Sequence, residues 1–97
     1  MMTVEEANQE VFRAVSDPIR RGILRVLRGG PKPVHDIAHL FSVSRPAVSR
    51  HLRVLRKAQL VVEKKQGRLR VYQLDTRPLK EMDRWLQEYR AAWGKKS

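Results

Sequence analysis

The residues of this sequence that could do chemistry are cations. Between Arg45 and Arg70 stand Arg45, Arg50, Arg53, Arg56, Lys57, Lys64, Lys65, Arg68 and Arg70, nine bases against the single acid Glu63, so this stretch supplies +8 of the formal net charge of +11. A fixed surplus of that size concentrates polyanions, which points to a nucleic acid or an anionic membrane surface. No catalytic set accompanies it. Ser49 and His51 are too close in sequence to face one another on a helix. No carboxylate pair or glycine-rich phosphate loop is present, so the protein is not expected to be an enzyme. His35 and His39, four apart, could share a metal ion on one helix face, but two ligands do not make a site. An exposed helix face is the expectation there, with neither metal nor cofactor.

The cations must be held by elements, and the local sequence says which. Ser44 is a helix cap and Pro46 fits the opening turn. Val48, Leu52 and Leu55 fall on one arc at 100° per residue, which leaves Pro46, Arg50, Arg53 and Lys57 on the other side. A shorter helix precedes it from Val34 to Phe41, with Ile37, Leu40 and Phe41 as its buried side. Two helices joined by a short turn, the second presenting cations outward, form a helix-turn-helix. From Leu60 the period changes to that of strands: LVVEKK and LRVYQL flank Gln66-Gly67-Arg68, a glycine-centred turn. This is a β-hairpin whose tip collects Lys64, Lys65, Arg68 and Arg70, a basic wing beside the helix-turn-helix. An alternative purpose for those charges is to discourage strand pairing at an exposed edge.

Within this frame Ser44 and the helix amides can hold a phosphate. Arg45, Ala47, Ser49 and Arg50 are the candidates to face bases: arginine pairs with guanine through two hydrogen bonds, and Ala47 could meet a thymine methyl. Arg53, Arg56 and Lys57 are placed to grip phosphates. His51 lies at the edge of the apolar arc, where a phosphate contact competes with packing or a hydrogen bond to a neighbouring element.

The flanks are helical. Thr3 and Glu6 form a capping box, and Val4, Ala7, Val11 and Val15, with Phe12 beside them, make an apolar stripe over residues 3–15. Ser16-Asp17-Pro18 starts a second helix that runs to about Arg28, apolar at Ile19, Ile23, Leu24, Val26 and Leu27, and stopped by Gly29-Gly30 with Pro31 and Pro33 beyond. Asp75 or Thr76 can cap a last helix over 76–93, followed by Gly94 and a basic tail. Leu79, Met82, Leu86, Tyr89 and Trp93 recur there at three-to-four spacing, with Trp85 beside Tyr89, as in a coiled-coil seam. A chain of 97 residues buries only about 60 to 70% of its unfolded surface and would struggle to cover both stripes. Val4, Val11, Leu79, Met82, Trp85, Leu86, Tyr89 and Trp93 are therefore expected at a dimer interface. A small-molecule pocket between the first and last helices is the alternative.

Composition narrows the rest. With 41% hydrophobic and 32% charged residues and no cysteine, the chain is globular, and disulfides and thiolate metal sites are excluded. MMTVEEANQE lacks the basic, apolar start of a signal peptide, and no apolar run approaches the ~20 residues of a membrane span. A cytoplasmic location is expected. A membrane partner is disfavoured because the cations and the apolar seam lie on different elements. One domain over 1–97 is expected, mainly α with a small β-hairpin, in the order α-α-α-α-β-β-α.

SDPIRRGILRVLRGG and the segment VHDIAHLFSVSRPAVSRHLRVLRKAQLVVEKKQGRLRVYQL resemble the ArsR/SmtB family of winged-helix bacterial repressors over nearly the whole chain. The Asp-Pro-x-Arg-Arg opening and the Ser-x-x-x-Ser-Arg-His-Leu-x-x-Leu helix are the most specific parts. The resemblance implies a homodimer through its first and last helices that binds an inverted-repeat operator in double-stranded DNA and represses transcription until an effector, unknown here, releases it. The chain departs from the metal-sensing members: it has no cysteine, and Thr76 to Trp93 contains no histidine. A metal-responsive repressor using His35 and His39 and a winged-helix module for protein contact are the other readings.

Overall fold

The computed structural model describes residues 2–94; the basic tail expected after Gly94 lies outside them. The elements are α1 (Val4–Val15), α2 (Pro18–Leu27), β1 (Lys32–Pro33), α3 (Val34–His39), α4 (Arg45–Lys57), β2 (Val61–Gln66), β3 (Leu69–Leu74) and α5 (Leu79–Gly94). The helix starts follow their caps. Thr3 Oγ1 accepts from the Glu6 amide at 3.1 Å while Glu6 Oε1 accepts from the Thr3 amide at 3.3 Å, the expected capping box. Asp17 rather than Ser16 caps α2, accepting from the Arg20 amide at 3.0 Å. Ser44 caps α4, accepting from the Ala47 amide at 3.2 Å.

The core gathers one face of each element: Val11 and Ala14 from α1, Ile23 and Leu27 from α2, Ile37 from α3, Val48, Leu52 and Leu55 from α4, with Leu60, Val61 and Tyr72 closing it from the sheet side. Helix α2 approaches so closely that a Cβ on Gly22 would lie 2.8 Å from the Phe41 ring, so a larger residue there requires that ring to shift. Helix α4 ends without glycine. Gln59 takes φ +61°, the Leu60 amide donates to Leu55 O at 3.0 Å and the Gln59 amide to Arg56 O at 2.9 Å. This is a Schellman motif, sealed by buried Leu55 and Leu60.

The sheet differs from the expected hairpin by a third strand. Its order is β1-β3-β2, all antiparallel, with Lys32 opposite Tyr72 and Pro33 opposite Val71. Proline is tolerated in β1 because that strand is at the edge. The hairpin turn is also tighter than expected: Gln66 pairs with Leu69 in the ladder, leaving Gly67-Arg68 as a two-residue loop. Only Gly67 has positive φ, +61°, as a type II′ turn requires of its first residue.

Other expectations need correction. Helix α3 stops at His39 rather than Phe41, so Leu40 becomes its exposed cap, while Ile37 is buried and Phe41 packs against the core. Helix α5 begins at Leu79, three residues later than expected. Asp75 instead holds a turn, its Oδ1 accepting from the Arg77 amide at 3.0 Å and its Oδ2 pairing with the Arg77 guanidinium at 2.6 Å. These hydrogen bonds lower the Asp75 carboxyl from 3.8 to about 2. Because the folded state binds this proton more weakly than the unfolded chain, the stabilisation is complete above the unfolded value and is lost as pH falls through about 2. Thermal melts should therefore show Asp75→Asn less stable than wild type at neutral pH, with the gap narrowing below about pH 4 and closing near the Asp75 folded value.

The two expected dimer stripes divide. Val11 is buried within the chain's own core with Ala14. Leu79 and Met82 pack on the same core. Further along, α5 runs past the core: Trp85, Tyr89 and Trp93 are 45%, 47% and 55% exposed, and Val4 at the start of α1 is 73% exposed. The Trp85 ring meets Phe12 of α1 edge-on at 5.4 Å and Tyr89 at 5.2 Å. Leu86 is half-buried.

Candidate nucleic-acid interface

Three fully buried residues, Val48, Leu52 and Leu55, seat α4 on the core. Their spacing turns Arg45, Ser49, Arg50 and Arg53 outward, all exposed, with Ala47 partly covered. A 13-residue helix is about 20 Å long, and α3 with the turn to Ser44 lies across its start. The hairpin β2–β3 follows directly, with Lys64, Lys65, Arg68 and Arg70 all exposed.

The acids divide these cations into two groups. Glu63 Oε1 lies 3.7 Å from Arg56 and its Oε2 3.9 Å from Arg70, and the Tyr72 hydroxyl donates to Glu63 Oε2 at 2.6 Å. Burial, then the hydrogen bond to this carboxylate, push the Tyr72 phenol up to about 12, so it stays a donor. Glu63 thus ties the wing to the end of α4. Lys57 Nζ lies 3.6 Å from Glu10 Oε1 of α1 and is engaged there, although it stands on the same helix face as Arg50, two turns on. Among the described residues, Arg45, Arg50, Arg53, Lys64, Lys65 and Arg68 have no acid within ion-pair distance. Three of these six stand on α4 and three at the wing tip, all of them exposed.

The start of α4 offers less to a phosphate than a bare helix end does. Pro46 has no amide hydrogen and the Ala47 amide is taken by Ser44, which leaves the Ser44 and Arg45 amides and the Ser44 hydroxyl hydrogen. His51 is turned toward α2, its Nδ1 3.1 Å from Arg20 Nη1 and 3.9 Å from Asp17 Oδ2. Nδ1 is thus engaged with a neighbouring element, one of the two outcomes expected for this ring. Asp17 is held below its ordinary value: burial opposes ionisation, but the hydrogen bonds from the Arg20 and Ile19 amides and the Arg20 charge outweigh it. Sequence reasoning missed Arg20. The signal lay in the Asp-Pro-x-Arg stretch, read above as a helix start and as part of the family resemblance but not as a partner of α4.

The other candidate chemistry lies apart from this face. The His35 and His39 rings meet edge-on at 4.6 Å, and among the described residues no three potential ligands gather around a metal position. A cleft of about 390 Å³ lies between α1, the end of α4 and the connection into α5, bordered by Ala7, Asn8, Lys57, Gln59 and Pro78, with Glu81 alone from α5. Among the described residues no helix is long and apolar enough to cross a membrane.

Residues 17–63 match the model of a family described as bacterial regulatory protein, arsR family. The chain is similar to the transcriptional repressor SdpR of Bacillus subtilis, 40% identical over 76 residues that cover 78% of this chain and 84% of that protein. It is also similar to the HTH-type transcriptional regulator Rv2034 of Mycobacterium tuberculosis, 43% identical over 74 residues, 76% of this chain and 69% of the relative. Among solved structures, a crystal structure of an ArsR family transcriptional regulator aligns with it at a TM-score of 0.83 and 30% identity, covering 97% of both chains.

Proposed function

This chain belongs to the ArsR family and is a DNA-binding transcriptional regulator of winged-helix fold, and from that premise we propose that it acts in the cytoplasm as a homodimeric repressor of an inverted-repeat operator. In this reading α4 enters the major groove. Arg45, Ala47, Ser49 and Arg50 face bases, while Ser44, Arg53 and the wing residues Lys64, Lys65, Arg68 and Arg70 hold the backbone. The observation that carries it is the set of outward cations Arg45, Arg50, Arg53, Lys64, Lys65 and Arg68, which no acid among the described residues engages. Lys57 and His51, engaged with Glu10 and Arg20, are left out of the direct contacts.

The dimer is inferred from shape and from α5. The accessible surface is 7188 Å², against roughly 5,800 Å² for a compact monomer of this mass. The radius of gyration is 15.2 Å, against roughly 12.5 Å for a compact chain of this length. The excess is consistent with an arm built to be covered, and the exposed aromatic row Trp85, Tyr89 and Trp93 with Val4 is the surface that a second copy would bury. SdpR's naming as a repressor supports repression as the outcome.

One experiment tests the reading as a whole. Duplexes enriched by the protein from random-sequence DNA should carry an inverted repeat with half-site centres about 34 Å apart, and sedimentation should give two chains per duplex. Enrichment of no sequence, or a single unrepeated half-site bound by one chain, would overturn it.

A further inference from the structure

We infer that Arg20 is a positioning residue for DNA reading: it fixes the roll of α4 by holding His51, and does so without touching DNA itself. The inference rests on the proposal that α4 is the reading helix. It starts from Asp17-Pro18, which sets Arg20 in the first turn of α2. Side chains on a helix lean back toward its N-terminus, here toward the end of α1. The guanidinium reaches it. Arg20 Nε donates to Ala14 O at 2.8 Å, Nη2 donates to Arg13 O at 3.0 Å, and Nη1 lies 3.1 Å from His51 Nδ1. All three nitrogens are occupied, two by carbonyls at the negative end of α1 and one by the reading helix.

Arginine has no acceptor, so in this bond His51 Nδ1 must be the acceptor, and the ring carries its hydrogen on Nε2. Asp17 completes the cluster: its Oδ2 accepts the Arg20 amide at 3.0 Å and lies 3.9 Å from the same His51 nitrogen. The rest of the α4 seat is Val48, Leu52 and Leu55, whose attraction to the core is non-directional and tolerates a small roll. Bidentate recognition of a base does not tolerate it, since a hydrogen bond weakens steeply away from line. His51 is next to Arg50 in sequence, so holding one ring fixes the azimuth of the other side chain. The same guanidinium grips the last carbonyls of α1, and thereby joins a proposed dimer helix to the reading helix.

The planar three-nitrogen fork gives the test its discrimination. A phosphate contact is served nearly as well by lysine, but a fork to three fixed acceptors is not. Wild type, Arg20→Lys, His51→Phe and His51→Asn are compared on the duplex enriched by wild type and on random duplex, at several salt concentrations. Arg20→Lys and His51→Phe should each lower the ratio of specific to random affinity by about tenfold, with the salt slope unchanged. The double variant should be no worse than either single one, as coupled partners require. His51→Asn, whose side-chain oxygen takes the place of Nδ1, should keep the wild-type ratio.

A wild-type ratio in Arg20→Lys or in His51→Phe overturns the inference, and so does a His51→Asn ratio as low as that of His51→Phe. If Arg20→Lys does not fold, the two His51 variants decide the matter between them. Failure of wild type itself to enrich any sequence is a separate result: it removes the reading of α4, and the inference falls with it.

Discussion

Raising salt from 50 to 200 mM should weaken binding to the enriched duplex by about a thousandfold to a hundred-thousandfold, the loss expected when six to ten phosphates are neutralised. Three to five phosphate contacts per chain, doubled by the dimer, fall in this range, and Arg53, Lys64, Lys65 and Arg68 supply about that number. Fluorescence anisotropy at five salt concentrations measures the slope. Lys64→Ala should then weaken all duplexes alike and lower the slope by about 1 per site lost, whereas Arg50→Ala should cost about 1 to 3 kcal/mol on the specific duplex and relax the preference at one base position. Arg70→Ala should change the slope less than Lys64→Ala, because Glu63 already engages Arg70. An affinity indifferent to salt would exclude a backbone-held complex.

Leu52→Ala should lower the free energy of unfolding by about 2 to 5 kcal/mol, a large share of the roughly 5 to 15 kcal/mol that holds a domain together. Leu52 has no exposed surface and lies on the inner face of the same helix whose outer face carries Arg50 and Arg53. Removing its side chain opens a cavity under the reading helix, within the same core that holds Ile23, Leu27 and Leu55. Urea titrations at one fixed protein concentration would measure the loss, since association of two chains adds to apparent stability. A loss below about 1 kcal/mol would mean that the α4 seat collapses easily onto the gap.

Most of the fold was readable because its signals are local. Capping by Thr3, Asp17 and Ser44 depends on bonds spanning three residues, and the inner arc Val48, Leu52 and Leu55 on the helical repeat. The features that were missed depend on distant neighbours. Strand β1 is two residues long and contains Pro33, so it has no pattern of its own and exists because β3 offers Val71 and Tyr72 across the gap. The left-handed turn at Gln59 is usually announced by glycine, and here Leu60 packing on Leu55 holds a glutamine in it. The late start of α5 reflects Arg77 folding back on Asp75 in place of a helical first turn.

The candidate site divides in the same way. Sequence alone determined that a basic helix and a basic wing stand side by side, because residue type and period decide which face of each element is polar. It could not rank the cations within that face. Lys57 and Arg53 are both exposed lysine-or-arginine positions on one helix, yet only the tertiary structure brings Glu10 to one and leaves the other without an acid. The same holds for His51, whose partner Arg20 is 31 positions away, and for Val11, which periodicity puts on the stripe of Val4 but packing buries beside Ala14. Periodicity depends on near neighbours and is written along the chain. Pairing and burial depend on which elements meet, and that was decided only when the core closed.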